Sequence, residues 1–377
     1  MIEPVLVDEV SGEEYSICKP RWCSDSKSSI TVSALEGIIR SQIDSSRRSM
    51  WRYRAAFPLE ILEPVSLSEG CTPLISSKFR GWPGLFKLEW FSPTGSFKDR
   101  GAALMMSLLK QQQVTEVVED SSGNGGAAIA AYGAAAGIKV NIVAPLNTSP
   151  SKVAQIRAYG ASVHLVPGSR EETERVAVEM AQNMFYASHN WHPFFLQGTK
   201  TLGYELWEDL GFNSPDNIII PTGAGSNILG CDIAFKELFT KKQISKLPRL
   251  FAAQPENCCP IVSALEAESS NPVTSIFEPT IAEGTAIKKP VRMKQVIMAL
   301  KRSMGGAVAI NERAIKEATL ELAEQGLFVE PTSALAAAAF EKLVLKGTIN
   351  PHEKTVIVLT GGGLKVSGFY QDFFGLN

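Results

Sequence analysis

The chain has 377 residues, of which 45% are hydrophobic and 20% charged, and a formal net charge of -2. That apolar content suffices for two or three packed units, and the near-neutral balance gives no electrostatic reason to expect nucleic acid or an anionic membrane as a partner. The first residues carry no basic region followed by an apolar stretch, and no long uncharged apolar run occurs, so a membrane span and secretion are not expected and a cytoplasmic location is.

Residues 1–50 read as an irregular N-terminal arm ending in the polar run Ile43 to Arg48. The six cysteines, Cys18, Cys23, Cys71, Cys231, Cys258 and Cys259, are scattered without scaffold spacing and read as reduced thiols. Cys18 and Cys23 could form half of a zinc knuckle, but no second Cys or His pair follows to close it, and no metal is expected.

Leu85 to Trp90 alternates like a short strand, Pro93 and Gly95 break it, and Ser96 is placed to cap a helix over Phe97 to Gln111. Lys98 then sits in the first turn, where the helix dipole favours a neutral amine, the form that makes a Schiff base with an aldehyde cofactor. Lys98 is the candidate catalytic residue. Further strands are expected at Glu116 to Asp120, Val140 to Ala144, Ser162 to Val166, Ile218 to Pro221, Leu250 to Ala253 and Thr355 to Leu359. Between them helical periodicity covers Gly126 to Ala136, Lys152 to Tyr159, Glu171 to Gln182, Gly198 to Leu210, Asn227 to Phe239, Glu312 to Gln325 and Ser333 to Leu345. Strand and helix in turn imply an α/β class of parallel sheets covered by helices.

Three of the strand-to-helix loops are rich in Gly and Ser, the composition of loops that bind ligands at the carboxyl edge of such sheets. In the first, Ser121, Ser122, Gly123, Asn124 and Gly125, backbone amides can cradle a carboxylate and Asn124 offers an amide to a ring oxygen. In the second, the amides of Gly223, Ala224, Gly225, Ser226 and Asn227 and the Ser226 hydroxyl suit a phosphate dianion. The third contains Thr360, Gly361, Gly362 and Gly363.

With Trp51 to Arg54, Ser68 to Leu74, Ser92 to Gly101, Ser122 to Asn124, the Gly223 loop, Val329 to Ala334 and Leu359 to Lys365 in this order, the chain resembles the fold type II pyridoxal phosphate (PLP) enzymes, most closely the threonine synthase branch. The resemblance covers nearly the whole chain. It implies two doubly wound parallel-sheet domains with PLP between them: an N-terminal arm (1–50), a larger PLP-binding domain (51–97 and 189–377) and a smaller mobile domain (98–188). It implies that Lys98 holds PLP as a Schiff base, that Asn124 bonds the ring hydroxyl, that residues 223–227 bind the cofactor phosphate and that Thr360 bonds the pyridine nitrogen. A homodimer is also implied. A neutral hydroxyl beside that nitrogen will not keep it protonated, which favours elimination or replacement over transamination.

The branch carries Thr-Ser after the Gly-Asn of the first loop, Asn after the first glycine of the phosphate loop, and Arg after Asn-Pro-Phe. This chain has Gly125 and Gly126, Ala224, and Phe195. A phosphorylated side chain would there lose its polar anchors, at a cost on the order of several kcal/mol. The leading expectation is therefore a lyase, a dehydratase or ammonia-lyase converting a β-hydroxy or β-substituted amino acid to a 2-oxo acid and ammonia. Its substrate side chain would be apolar or aromatic, as in phenylserine, set near Phe194 and Phe195. The alternative is threonine synthase or another replacement synthase; an inactive homologue that retains the cofactor is the third reading. His189 and His192 read as structural, with proton transfer near the pocket the alternative, and Phe194 and Phe195 read equally well as core.

Overall fold

A computed structural model describes residues 3–146, 148, 150–168, 170–269 and 277–376. In chain order the elements are β1 (Val5–Asp8), β2 (Glu14–Ser16), β3 (Ile30–Val32), β4 (Leu74–Phe79), β5 (Trp82–Leu88), α1 (Lys98–Gln111), β6 (Glu116–Glu119), α2 (Asn124–Ala136), β7 (Lys139–Pro145), α3 (Pro150–Ala158), β8 (Ser162–Val166) and α4 (Arg170–Met180). They continue with β9 (Phe185–Tyr186), α5 (Pro193–Thr199), α6 (Thr201–Asp209), β10 (Asn217–Pro221), α7 (Ser226–Thr240), β11 (Arg249–Pro255), α8 (Pro260–Glu266), α9 (Met293–Arg302), β12 (Gly306–Ile310), α10 (Glu312–Glu324), α11 (Pro331–Leu345), β13 (Thr355–Leu359) and α12 (Ser367–Phe374). The chain divides into two compact units, residues 1–71 with 98–201 and residues 72–97 with 202–377. Against the boundaries expected at 51, 98 and 189, the crossings fall at 72, 98 and 202, and the N-terminal arm is part of the first unit.

The first unit is built on a four-stranded parallel sheet in the order β8-β7-β6-β9. Residues 1–50, expected to be irregular, form a three-stranded antiparallel sheet in the order β2-β1-β3. Strands of three or four residues are too short for their alternation to stand out in the sequence. Leu6, Ile17, Ile30 and Val32 are buried in one core with the Leu- and Met-rich face of α1 and the alanine-rich face of α2. Asp8 ends β1 fully buried, accepting the Val10 amide at 2.8 Å, the Ser11 amide at 3.4 Å and the Ser26 hydroxyl at 2.8 Å. These bonds, the Val10 amide foremost, hold its carboxyl well below the usual range. Deeper in the unit, Glu69 ties two segments to α2. Its carboxylate accepts Trp51 Nε1–H at 2.7 Å and the Tyr132 hydroxyl at 2.7 Å, and it has no exposed surface.

The second unit carries a six-stranded sheet in the order β12-β11-β10-β13-β5-β4. All neighbours are parallel except the edge strand β4, which pairs antiparallel with β5. Every residue of β10 and β13 is buried, the continuous apolar run expected of a parallel strand covered on both faces. This core also buries charged side chains. Lys87 on β5, fully buried, pairs at 2.7 Å with both Glu205 and Asp209 of α6. The single helix expected over Gly198 to Leu210 is two, α5 and α6, meeting at Lys200. β4, β12, α8, α9 and α12 were not foreseen.

Candidate active site

In the second unit, parallel strands β5, β13 and β10 lie side by side, so the segments leaving their carboxyl ends emerge on one edge. Residues 94–97, after β5, run against the loop after β13. Phe97 N–H donates to Thr360 O at 3.0 Å and Gly362 N–H to Gly95 O at 3.1 Å, while Lys365 Nζ donates to Thr94 O at 2.7 Å. Lys98 is the next residue of the chain, so the Thr360 loop fixes the backbone that leads into it. Ser96 does not cap α1. Its hydroxyl is buried and has no hydrogen-bond partner among the described residues, because its backbone is committed to a bridge with Gly361.

After β10, the loop 222–225 turns into α7 at Gly225, whose φ of +91° and whose position, 2.3 Å from Val296 Cγ2 for any added Cβ, admit only glycine. The first-turn amides of α7 therefore stand at a tight glycine loop, a ready anion site. Asn227 lies in that turn, 3% exposed, and neither its Oδ1 nor its Nδ2 has a partner among the described residues. Thr360, 2% exposed, has its hydroxyl 3.2 Å from Ser333 Oγ at the start of α11. Ser333 Oγ also accepts Gly361 N–H at 2.7 Å, so the α11 terminus orients the Thr360 loop. Glu330 occupies the N-cap position of α11 without a side-chain capping bond, and its carboxylate lies where a Cβ on Gly361 would stand.

In the first unit, Lys98 opens α1, half buried, with its Nζ 5.6 Å from the centre of the Phe195 ring. β6 ends at Glu119, residues 120–123 turn, and α2 starts at Asn124 behind Gly123. The turn is tight. A Cβ on Gly126 would fall 1.7 Å from Ser121 O, and one on Gly125 would fall 2.8 Å from the His189 ring and 2.9 Å from Ser121 Oγ. Ser121, Ser122, Gly123, Asn124 and Gly125 thus share one loop with the amides of the first turn of α2, as the sequence suggests. Asp120 is held apart from it, accepting the Tyr186 hydroxyl at 2.8 Å and the Ser188 hydroxyl at 3.3 Å.

The two phenylalanines differ. Phe194 is 1% exposed and belongs to the core; its amide donates to His192 Nδ1 at 3.2 Å, which makes His192 the cap of α5. Phe195, fully buried, packs face to face with Gly101 and touches both Lys98 and His189, whose ring centre lies 5.6 Å away. His189 is held by a buried carboxylate. Its Nδ1 lies 2.6 Å from Glu119 Oε1, and its backbone N–H donates to Glu119 Oε2 at 3.1 Å. Burial pushes Glu119 well above the carboxylate range, with Asp120 adding to the rise and Lys98 and Arg170 opposing it. Burial likewise pushes His189 well below its ordinary value, with the Lys98 and Arg170 charges acting the same way. Glu119 and Arg170 carried no signal in the sequence as site residues. The Glu119–His189 pair spans 70 positions and exists because β9 pairs beside β6. Among the described residues no group of three His, Cys, Asp or Glu could hold a metal ion.

A family model described as pyridoxal-phosphate dependent enzyme matches residues 65–361. A threonine synthase of Methanosarcina acetivorans is 34% identical over 325 residues, 84% of this chain and 80% of that one. Among solved structures, that of maize serine racemase matches with a TM-score of 0.68 and 26% identity over 81% of this chain and 92% of the other. A T.th. threonine deaminase matches with a TM-score of 0.63 and 26% identity over 77% of this chain and 92% of the other.

Proposed function

The chain belongs to the family of pyridoxal-phosphate-dependent enzymes, and from that premise we propose that it exchanges an oxygen-linked group on the side chain of an amino acid by threonine-synthase-type replacement. Phosphate leaves Cγ of phosphohomoserine and the hydroxyl of water joins Cβ. The observation that carries this reading is the 34% identity to a threonine synthase over 84% of the chain.

The cofactor is PLP, which when bound supplies an electron sink for the pair left at Cα. The residues present fit it. The unpartnered Asn227 amide and the Gly225 turn at the start of α7 support residues 223–227 as the phosphate cradle, and the buried unpartnered Ser96 hydroxyl supports a ligand beside the Thr360 loop. Lys98 would tether the group, Asn124 would face its ring oxygen and Thr360 its ring nitrogen. The amides of 121–125 would hold the substrate carboxylate, and the Lys98 amine, once released, would move the proton at Cα.

A second reading, the dehydratase or ammonia-lyase, is favoured by Gly125, Ala224 and Phe195, which carry no polar anchor for a substrate phosphate. Within it an aromatic substrate such as phenylserine would meet the Phe195 ring.

The test is an absorption scan of purified protein with phosphohomoserine, serine, threonine and phenylserine, assaying threonine, 2-oxo acid and ammonia. Threonine from phosphohomoserine is the expected result. Ammonia and a 2-oxo acid from a β-hydroxy amino acid, with no threonine formed, would replace the first reading by the second. The Lys98→Ala variant should lose the visible band of the bound cofactor in either case.

A further inference from the structure

Both readings contain one step at the same atom: a hydroxyl joins Cβ in the synthase and leaves Cβ in the lyase. That oxygen carries a proton more when it is water than when it is bound to carbon, so some group must hold the proton. Lys98 is occupied with the proton at Cα. We propose that His189, oriented by Glu119, carries the proton that travels with the Cβ hydroxyl, a role that rests on the reaction class above.

Four observations support it. The imidazole is fixed by two bonds to one carboxylate, at 2.6 Å from Nδ1 and 3.1 Å from its own backbone N–H, while Nε2 has no partner among the described residues. The ring stands against the first turn of α2, its Cε1 and Nδ1 each 2.8 Å from where a Cβ on Gly125 would stand. The His189 ring centre and Lys98 Nζ each lie 5.6 Å from the centre of the Phe195 ring, so the imidazole and the residue that handles Cα flank the same side chain. Finally, the site is nearly dry, with His189 5% and Glu119 0% exposed.

Burial also fixes where the proton rests. It opposes charge on both partners, and the charged groups that act on them are Lys98, Arg170 and Asp120. A pair with no net charge holds one titrating proton. Whether that proton sits on Glu119 or on Nδ1, the other ring proton is on Nε2, so the free edge of the imidazole is a donor. In elimination Lys98 takes the Cα proton, the electron pair of the Cα–H bond becomes the Cα=Cβ bond, and the Cβ–O bond breaks with its pair on oxygen. Nε2 passes its proton to that oxygen, water departs, and the N–H pair stays on Nε2. In the synthase direction Nε2 first gives its proton to the departing phosphate oxygen, the N–H pair staying on Nε2; water oxygen then bonds Cβ and its proton goes to the vacated Nε2. Glu119 does not meet the substrate; it is a positioning residue.

The experiment has an arm that needs no turnover. Imidazole 15N resonances of His189, assigned by comparison with His189→Gln in protein with and without cofactor, should show a protonated Nε2 and a hydrogen-bonded Nδ1, and Glu119→Gln should shift the Nδ1 signal. A bare, freely exchanging Nε2 would overturn the proposal. In the activity arm, His189→Gln is first shown to bind cofactor with the parent's spectrum. With phosphohomoserine it should then make 2-oxobutanoate and ammonia in place of threonine, because the Cβ addition fails while the phosphate still leaves. If the lyase reading holds instead, the rate with a β-hydroxy amino acid relative to β-chloroalanine, whose chloride leaves without a proton, should fall roughly 10²- to 10⁴-fold. An unchanged product ratio or an unchanged leaving-group ratio would overturn the role of His189. A parent protein that processes none of these substrates would overturn the reaction class, and the imidazole signals would then decide the state of the pair.

Discussion

Glu119 and His189 shift in opposite senses, and their pairing makes a pH signature. A carboxyl whose folded pKa is raised adds stability that is present below its ordinary value, 4.5, and is lost as pH rises toward the folded value. An imidazole whose folded pKa is lowered adds stability that is present above its ordinary value, 6.5, and is lost as pH falls toward the folded value. Between those two ordinary values the unfolded chain binds one proton, on the histidine, and the folded pair also binds one, so the slopes cancel. The stability difference between the parent and a Glu119→Gln, His189→Gln double variant, from urea titrations, should therefore be flat from pH 4.5 to 6.5. Outside that window it should fall, by up to about 1.4 kcal/mol per pH unit for one proton. A monotonic change across the window would mean that one partner carries its own charge alone. Nothing in the sequence marks this pair, since each residue alone reads as a polar end to a strand or a loop, and only the β6–β9 pairing joins them.

At the scale of elements, the proposed phosphate cradle at the start of α7 would come at the expense of the helix's own stability. Asn227 is buried in the first turn with both ends of its amide unpaired among the described residues, an arrangement that costs the cofactor-free protein on the order of 1–3 kcal/mol. Asn227→Leu should accordingly raise the thermal or urea stability of the cofactor-free form by about that amount while weakening PLP binding at least ~10-fold in a spectroscopic titration. Equal stability in the two proteins would show that the amide is satisfied by water. Glu69 illustrates the opposite design. It satisfies Trp51 and Tyr132, so Glu69→Ala should lose on the order of 1–3 kcal/mol for each donor left bare, with cofactor chemistry intact in the surviving folded fraction. The motif around Ser68 to Leu74 was legible as belonging to the family, while its work, fixing Trp51 to α2, was not. Parallel strands were legible because burial on both faces writes continuous apolar runs: β8 and β13 fall where expected, and β6, β7, β10 and β11 fall within two residues. β12, with the small residues Gly306 and Ala307, and the three strands before residue 33 carry too little apolar contrast to be read.

For the whole molecule, the loops that gather at strand ends were readable because composition marks them. Ser121 to Gly125, Gly223 to Asn227 and Thr360 each follow a strand and, for the first two, open a helix. Domain boundaries were less readable, because the first unit recruits residues 1–71 through contacts distant in sequence. The same discontinuity governs how the chain assembles. β5 pairs on one side with β4, its neighbour in sequence, and on the other with β13, the last strand to be made, with Leu85 opposite Val356. During synthesis Phe86 and Leu88 are therefore exposed along an unpaired edge until some 270 residues more have emerged, a separation at which loop closure is slow and aggregation competes. The second unit cannot close from its N-terminal side. Its sheet is completed only with β13, the strand that leads directly into Thr360, so the sheet and the loop proposed to meet the cofactor ring would be completed together.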